Sequence, residues 1–126
     1  MKTLLAIVEQ GGYPDFTALY ESFGYQVITT TSMRKALGLL KQCKPDVITA
    51  EFIYSPMYSA RISNLESLFA TLQNRQINPL LLVFIDYEAT HHLAKLPLPE
   101  YISHTVTYPI TSKKLTECLG IQSVTT

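Results

Sequence analysis

Residues 30–51 read TTSMRKALGLLKQCKPDVITAE, and within them a helix hands over to a strand. Ser32 is a candidate N-cap, because its hydroxyl can accept from an orphaned amide of the first helical turn. Ala36, Leu37, Leu40 and Cys43 then recur on one helical face, which predicts a helix over Met33–Cys43 with this stripe in the core. Pro45 ends it, having no amide hydrogen to continue the ladder. Val47–Phe52 is a short, mainly apolar run, the pattern of a strand covered on both faces. A helix returning to such a strand is one unit of a sheet with crossover helices, not of a bundle or a sandwich.

Working outward, the same alternation gives five strand–helix units. Leu4–Val8 is a continuous apolar run that stops at Glu9, Gln10 and a Gly11-Gly12 turn. Asp15, after Pro14, is placed to cap a short helix through Tyr20–Phe23, which Gly24 closes. Tyr25–Thr31 reads as the second strand. Beyond the third strand comes a loop with Pro56, then a helix from about Ser63 to Gln73 whose buried stripe is Leu65, Leu68, Phe69 and Leu72. Pro79 opens the fourth strand, Leu80–Ile85. A weak helix over Ala89–Lys95 is cut short by Pro97 and Pro99. The fifth strand is His104–Thr107, and Ser112 caps a helix over Lys113–Leu119.

Composition narrows the function classes. A chain of 126 residues fits one domain, residues 1–126, and buries roughly two-thirds of its unfolded surface. Ten Lys and Arg balance ten Asp and Glu, so no long-range field favours a nucleic acid or an anionic membrane. Cys43 and Cys118 lack CxxC spacing and read as reduced thiols of a cytoplasmic protein. The opening MKTLLAIVEQ has no small-residue cleavage site, and its apolar run falls short of the ~18 residues of a spanning helix. His91 and His92 are adjacent, so on a helix they diverge and make a poor metal pair. Gly11-Gly12 lacks the wider pattern of a phosphate-binding loop. Lys113 and Lys114 are too few for nucleic acid, and no nucleophile–base constellation stands out.

Over about residues 2–119 the chain resembles the receiver domains of response regulators, the chemotaxis-type flavodoxin-like family. Residues 30–51 carry the strongest likeness, and Tyr108-Pro109 falls where the family has Lys-Pro after its fifth strand. The resemblance implies an α/β fold: a five-stranded parallel sheet in order 2-1-3-4-5 with helices on both faces, a three-layer sandwich, with residues 120–126 as a polar tail. In a working receiver, two acidic residues after the first strand and an aspartate ending the third hold Mg²⁺ through oxygen ligands. A hydroxyl and a lysine after the fourth and fifth strands then steady the phosphoryl oxygens. The corresponding positions here are Glu9 and Gln10, Glu51, Phe84, and Tyr108. Glu51 has one methylene too many, and the hydroxyl and lysine are gone. The family's switch pair, a hydroxyl and an aromatic, is inverted as Phe84 and Thr105.

These departures imply a degenerate pseudo-receiver: a phosphorylation-independent protein–protein interaction or dimerisation module in signal transduction, with no enzymatic activity, metal or cofactor. Its partner is then another signalling or regulatory protein or a second copy of the chain, not a nucleic acid or a membrane. The family's partner face maps to about His91–Lys95, Thr105–Tyr108 and Lys113–Leu119, with His91, His92, Thr105, Tyr108 and Lys113 as contact residues. Phe52–Ile62 is longer than the family's usual loop and carries Tyr54, Met57 and Tyr58, placed either for recognition or over the pocket. Two other readings stand beside this one: a small-ligand sensor built on Glu9, Gln10, Glu51, Asp86 and Tyr108, and a divergent phosphoacceptor. Tyr108 and Gln10 are expected to donate hydrogen bonds into the pocket in place of metal and lysine. Glu51→Gln is expected to keep the fold and to alter partner binding.

Overall fold

The computed structural model describes residues 2–54, 63–96 and 99–124. The apolar runs become five strands: β1 (Lys2–Ile7), β2 (Tyr25–Thr30), β3 (Val47–Glu51), β4 (Leu80–Ile85) and β5 (His104–Thr107). All neighbouring strands are parallel, in the order β2-β1-β3-β4-β5. Side chains alternate between the two faces, as a period of two requires. Leu5, Ile7, Ile48, Ala50, Leu81 and Val83 enter one core with α2 (Met33–Leu39) and α3 (Leu65–Arg75). Leu4, Ala6, Val47, Leu82, Phe84 and Val106 enter the other with α1 (Thr17–Ser22) and α4 (Ser112–Val124). The result is the three-layer α/β sandwich with helices on both faces.

Local signals account for most helix ends. Ser32 caps α2 by accepting from the Lys35 amide at 3.1 Å. The predicted continuation to Cys43 does not form. After Leu39 the amides of Lys41 and Gln42 reach only three residues back, to Gly38 and Leu39, and the ladder tightens into a turn before Pro45. The α3 stripe of Leu65, Leu68, Phe69 and Leu72 is fully buried. At its start the Ser63 hydroxyl accepts from the Leu65 amide while Glu66 reaches back to the Ser63 amide, a reciprocal cap.

Three further boundaries differ from the sequence reading. Asp15 precedes the α1 cap position and instead accepts from the Thr17 amide and hydroxyl. Thr111, not Ser112, caps α4, through its hydroxyl and the Lys114 amide at 3.2 Å, and that helix runs on to Val124. The weak helix around residues 89–95 is a 3-10 segment over Tyr87–Lys95 without a side-chain cap; a second 3-10 turn, Pro99–Tyr101, follows it. Because α1 begins only at Thr17, a cavity of about 270 Å³ opens beside it, lined by Ala6, Val8, Tyr13, Tyr20 and Thr49 among others.

The two cores predict where stability lies. Phe69 has no exposed surface, so Phe69→Ala should cost about 3–5 kcal/mol, read as a lower denaturant midpoint at unchanged slope. A loss below about 1 kcal/mol would contradict the placement of α3.

Candidate functional site

Parallel pairing sets the site. Register Ala6↔Thr49 brings the ends of β1 and β3 side by side, and Glu51↔Phe84 sets β4 beside them. Glu51, the last residue of β3, is 1% exposed. A carboxylate that deep must be hydrogen-bonded to survive burial. The chain leaving β1 supplies the bonds. Gly11 and Gly12 take φ values of 72° and 87°, a region that strains other residues, and the backbone curls over the carboxylate. The Gln10 amide donates to Oε1 at 2.8 Å, the Gly11 amide to Oε2 at 3.2 Å, and the Tyr13 hydroxyl to Oε2 at 2.6 Å.

Asn64, at the start of α3, completes the network. Its Nδ2 donates to Glu9 Oε1 and to the Glu51 carbonyl, each at 2.7 Å, and its Oδ1 accepts from the Ile53 amide at 2.8 Å. One buried amide therefore joins the ends of β1 and β3. The aromatic side of the site is packed as tightly. The Tyr13 ring meets Phe84 edge-on, with centroids 5.1 Å apart at 89°, and lies 6.3 Å from Tyr108. Tyr108 precedes a cis bond to Pro109. Lys114 Nζ donates to the carbonyls of Thr107 and Pro109 at 2.8 and 2.9 Å, so this cation is fixed on the backbone flanking Tyr108.

No family model matches the sequence, and a search of curated proteins finds no match. Solved structures do match. The receiver domain of a Francisella response regulator superposes with a TM-score of 0.69 at 19% identity, covering 95% of this chain and 93% of its own. The inactive regulatory domain of the repressor of iron transport regulator, RitR, gives 0.71 at 11% identity over 100% and 98%. TrrA from Thermotoga maritima, solved with Mg²⁺ and a beryllofluoride, gives 0.67 at 16% identity over 98% and 99%. The fold is that of a response-regulator receiver domain.

Set in the receiver fold, Glu51, Glu9, Gln10, Phe84 and Tyr108 all gather at the C-terminal edge of the sheet, but their parts differ. Gln10 contributes its backbone amide, and its side chain is exposed. The hydroxyl that reaches Glu51 belongs to Tyr13, where Tyr108 was expected. Tyr13 and Asn64 were missed. The only local hints were a tyrosine just past a glycine pair and an asparagine just before an apolar stripe. Phe84 is 1% exposed and Thr105 is exposed, so the two do not form a packed switch. The Mg²⁺ that the resemblance implies does not suit this donor set. A hard cation needs free oxygen lone pairs, whereas both Glu51 oxygens and Glu9 Oε1 already face N–H or O–H groups. Among the described residues no cluster of three or more His, Cys, Asp or Glu is arranged for a metal.

The expected partner residues are scattered around this edge. Tyr54 stacks on His92, with centroids 3.8 Å apart at 7°, and both line an open cavity of about 540 Å³ with Asp86 and Tyr108. His91 is exposed beside His92, and Lys113 is exposed on α4. Met57 and Tyr58 lie outside the described residues.

The donor set changes the outlook for Glu51→Gln. A glutamine must turn its NH₂ toward one of these donors, so the variant should lose about 1–3 kcal/mol of stability, measured by denaturant unfolding; an unchanged midpoint would mean that the cage contributes nothing. The phenols give a second check. Burial, then the Glu51 and Asp86 charges, push Tyr108 from 10.0 up to about 12. Burial and the hydrogen bond to Glu51 push Tyr13 up further. Folding favours the neutral phenols, so their contribution is whole below pH 10.0 and is lost as pH climbs through about 12. Unfolding free energy should fall over that window, with a shallower fall in Tyr13→Phe. Identical slopes in the two proteins would contradict the coupling to Glu51.

Proposed function

We propose that this receiver-fold protein is a phosphorylation-independent pseudo-receiver, an interaction or dimerisation module of a signalling system that works by binding and not by phosphotransfer. The supporting observation is the Glu51 carboxylate, buried and held by three donors. A phosphoacceptor needs a free carboxylate oxygen aimed at the incoming phosphorus. Here each oxygen is engaged, and Phe84 occupies the position of the assisting hydroxyl. The bonds from Gln10, Gly11 and Tyr13 hold the β1–α1 segment over the carboxylate, where an incoming phosphoryl group would have to approach.

Binding requires a surface, and the C-terminal edge offers an aromatic one. Tyr87 is 78% exposed and Tyr54 39%, in a protein whose other large apolar groups are mostly buried. Together with His91, His92 and Lys113 they suit a protein partner, another regulator or a second copy of the chain. A small-ligand sensor is the second reading, favoured by the cavity that Asp86 and Tyr108 share with Tyr54 and His92. Glu9, Gln10 and Glu51 do not line that cavity, so a ligand there would touch the aromatic rim and leave the carboxylate cage closed.

Titrating the protein with Mg²⁺ and beryllofluoride while following amide resonances tests the reading. Residues Glu9, Glu51, Phe84 and Tyr108 should show no saturable shifts. Saturable shifts centred on Glu51 would sink it.

A further inference from the structure

The zero net charge hides an uneven distribution. Between Glu21 and Asp46 the sequence has no acidic residue, yet it carries Arg34, Lys35, Lys41 and Lys44. Two of these face an open groove of about 730 Å³ between α2 and α3. One wall is the stripe Arg34, Gly38 and, in the following turn, Lys41, spaced at four and three residues so as to share a side of the helix. The other is Asn64, Ser67, Thr71 and Arg75 along α3. Parallel topology fixes the direction: both helices start at the C-terminal edge of the sheet, so Arg34 sits at the upper end beside Asn64, and Lys41 and Arg75 sit at the lower end. Glu9 is the only acidic residue lining the groove among the described residues, and its Oε1 is already occupied by Asn64.

The middle of the groove is shaped for a chain. A Cβ built on Gly38 meets nothing within 4 Å; Thr71 offers a hydroxyl that can both donate and accept, and the Ser67 hydroxyl, which donates to the Asn64 carbonyl, can still accept. The seven positions from Arg34 to Lys41 span roughly 10 Å, and an extended chain covers that distance in about three residues. We infer that the α2–α3 groove binds an extended acidic peptide segment of a partner protein, with two carboxylates about three residues apart meeting Arg34 at one end and Lys41 with Arg75 at the other. No small anion reaches both ends. Among the described residues the groove has no aromatic side chain on which bases could stack, which disfavours a single-stranded nucleic acid. This surface is separate from the aromatic edge described above.

Fluorescence anisotropy at low salt with a labelled peptide carrying two glutamates three residues apart tests the inference. The full chain should bind it saturably. The double change Arg34→Glu and Arg75→Glu should weaken binding by about tenfold or more. Gly38→Leu should weaken it comparably, since it keeps every charge, favours the helix and fills only the groove. A control with Lys35→Glu and Lys2→Glu, both exposed and outside the groove, should bind as the unaltered chain does. Absence of saturation up to about 1 mM peptide would overturn the inference. So would equal losses in the control, or displacement of the peptide by inorganic phosphate or an oligothymidine at the concentration at which the peptide itself competes.

Discussion

A carboxylate with 1% of its surface exposed is costly to keep out of water unless its oxygens are satisfied, and the way Glu51 is satisfied governs the rest of this site. Its three donors come from one short stretch, Gln10 to Tyr13. To bring them over the end of β3, the backbone needs positive φ at Gly11 and Gly12 and must delay α1 until Thr17. Tyr13, held by its hydroxyl, lays its ring against Phe84. The delayed helix, the cavity beside it and the filled pocket are all compatible with one hydrogen-bonded carboxylate. The extra methylene relative to aspartate lets the group span from β3 to the loop.

Charge placement at this edge follows the same logic. Two carboxylates at the ends of adjacent strands would repel one another if left to share a cavity. Asn64 gives Glu9 a donor of its own and ties itself to the Glu51 carbonyl with the same nitrogen, so each carboxylate has separate partners. Lys114 is engaged with backbone carbonyls around Tyr108. Neutral donors thus do the work that a cation and a lysine do in the resemblance that the sequence suggests. A carboxylate bonded at both oxygens has little reason to rearrange, whereas the groove between α2 and α3 and the aromatic rim keep polar and apolar groups facing solvent.

Much of the fold was legible because it rests on local patterns. Apolar runs located all five strands, Ser32 capped α2, and Leu65, Leu68, Phe69 and Leu72 proved to be the buried face of α3. Helix ends were harder to place where a turn competes with the ladder, as after Gly38, or where two neighbouring hydroxyl residues could each cap, as at Thr111 and Ser112. In the site, the substitution at Glu51 was readable from its position at the end of a strand. Tyr13 and Asn64 were not, since their bonds cross 38 and 55 residues of sequence and arise only when parallel register brings the strand ends together. Tyr108 stands where the resemblance puts the lysine, but the hydroxyl that reaches the carboxylate comes from the loop after β1.

Amide hydrogen exchange at Gln10 and Gly11 tests this account most directly. Both lie in a loop, where unbonded amides exchange quickly. If Glu51 holds them, they should be protected nearly as well as the adjoining strand, and Glu51→Ala should release both while the β1 amides stay slow. Rapid exchange at Gln10 and Gly11 in the unaltered protein would contradict the account.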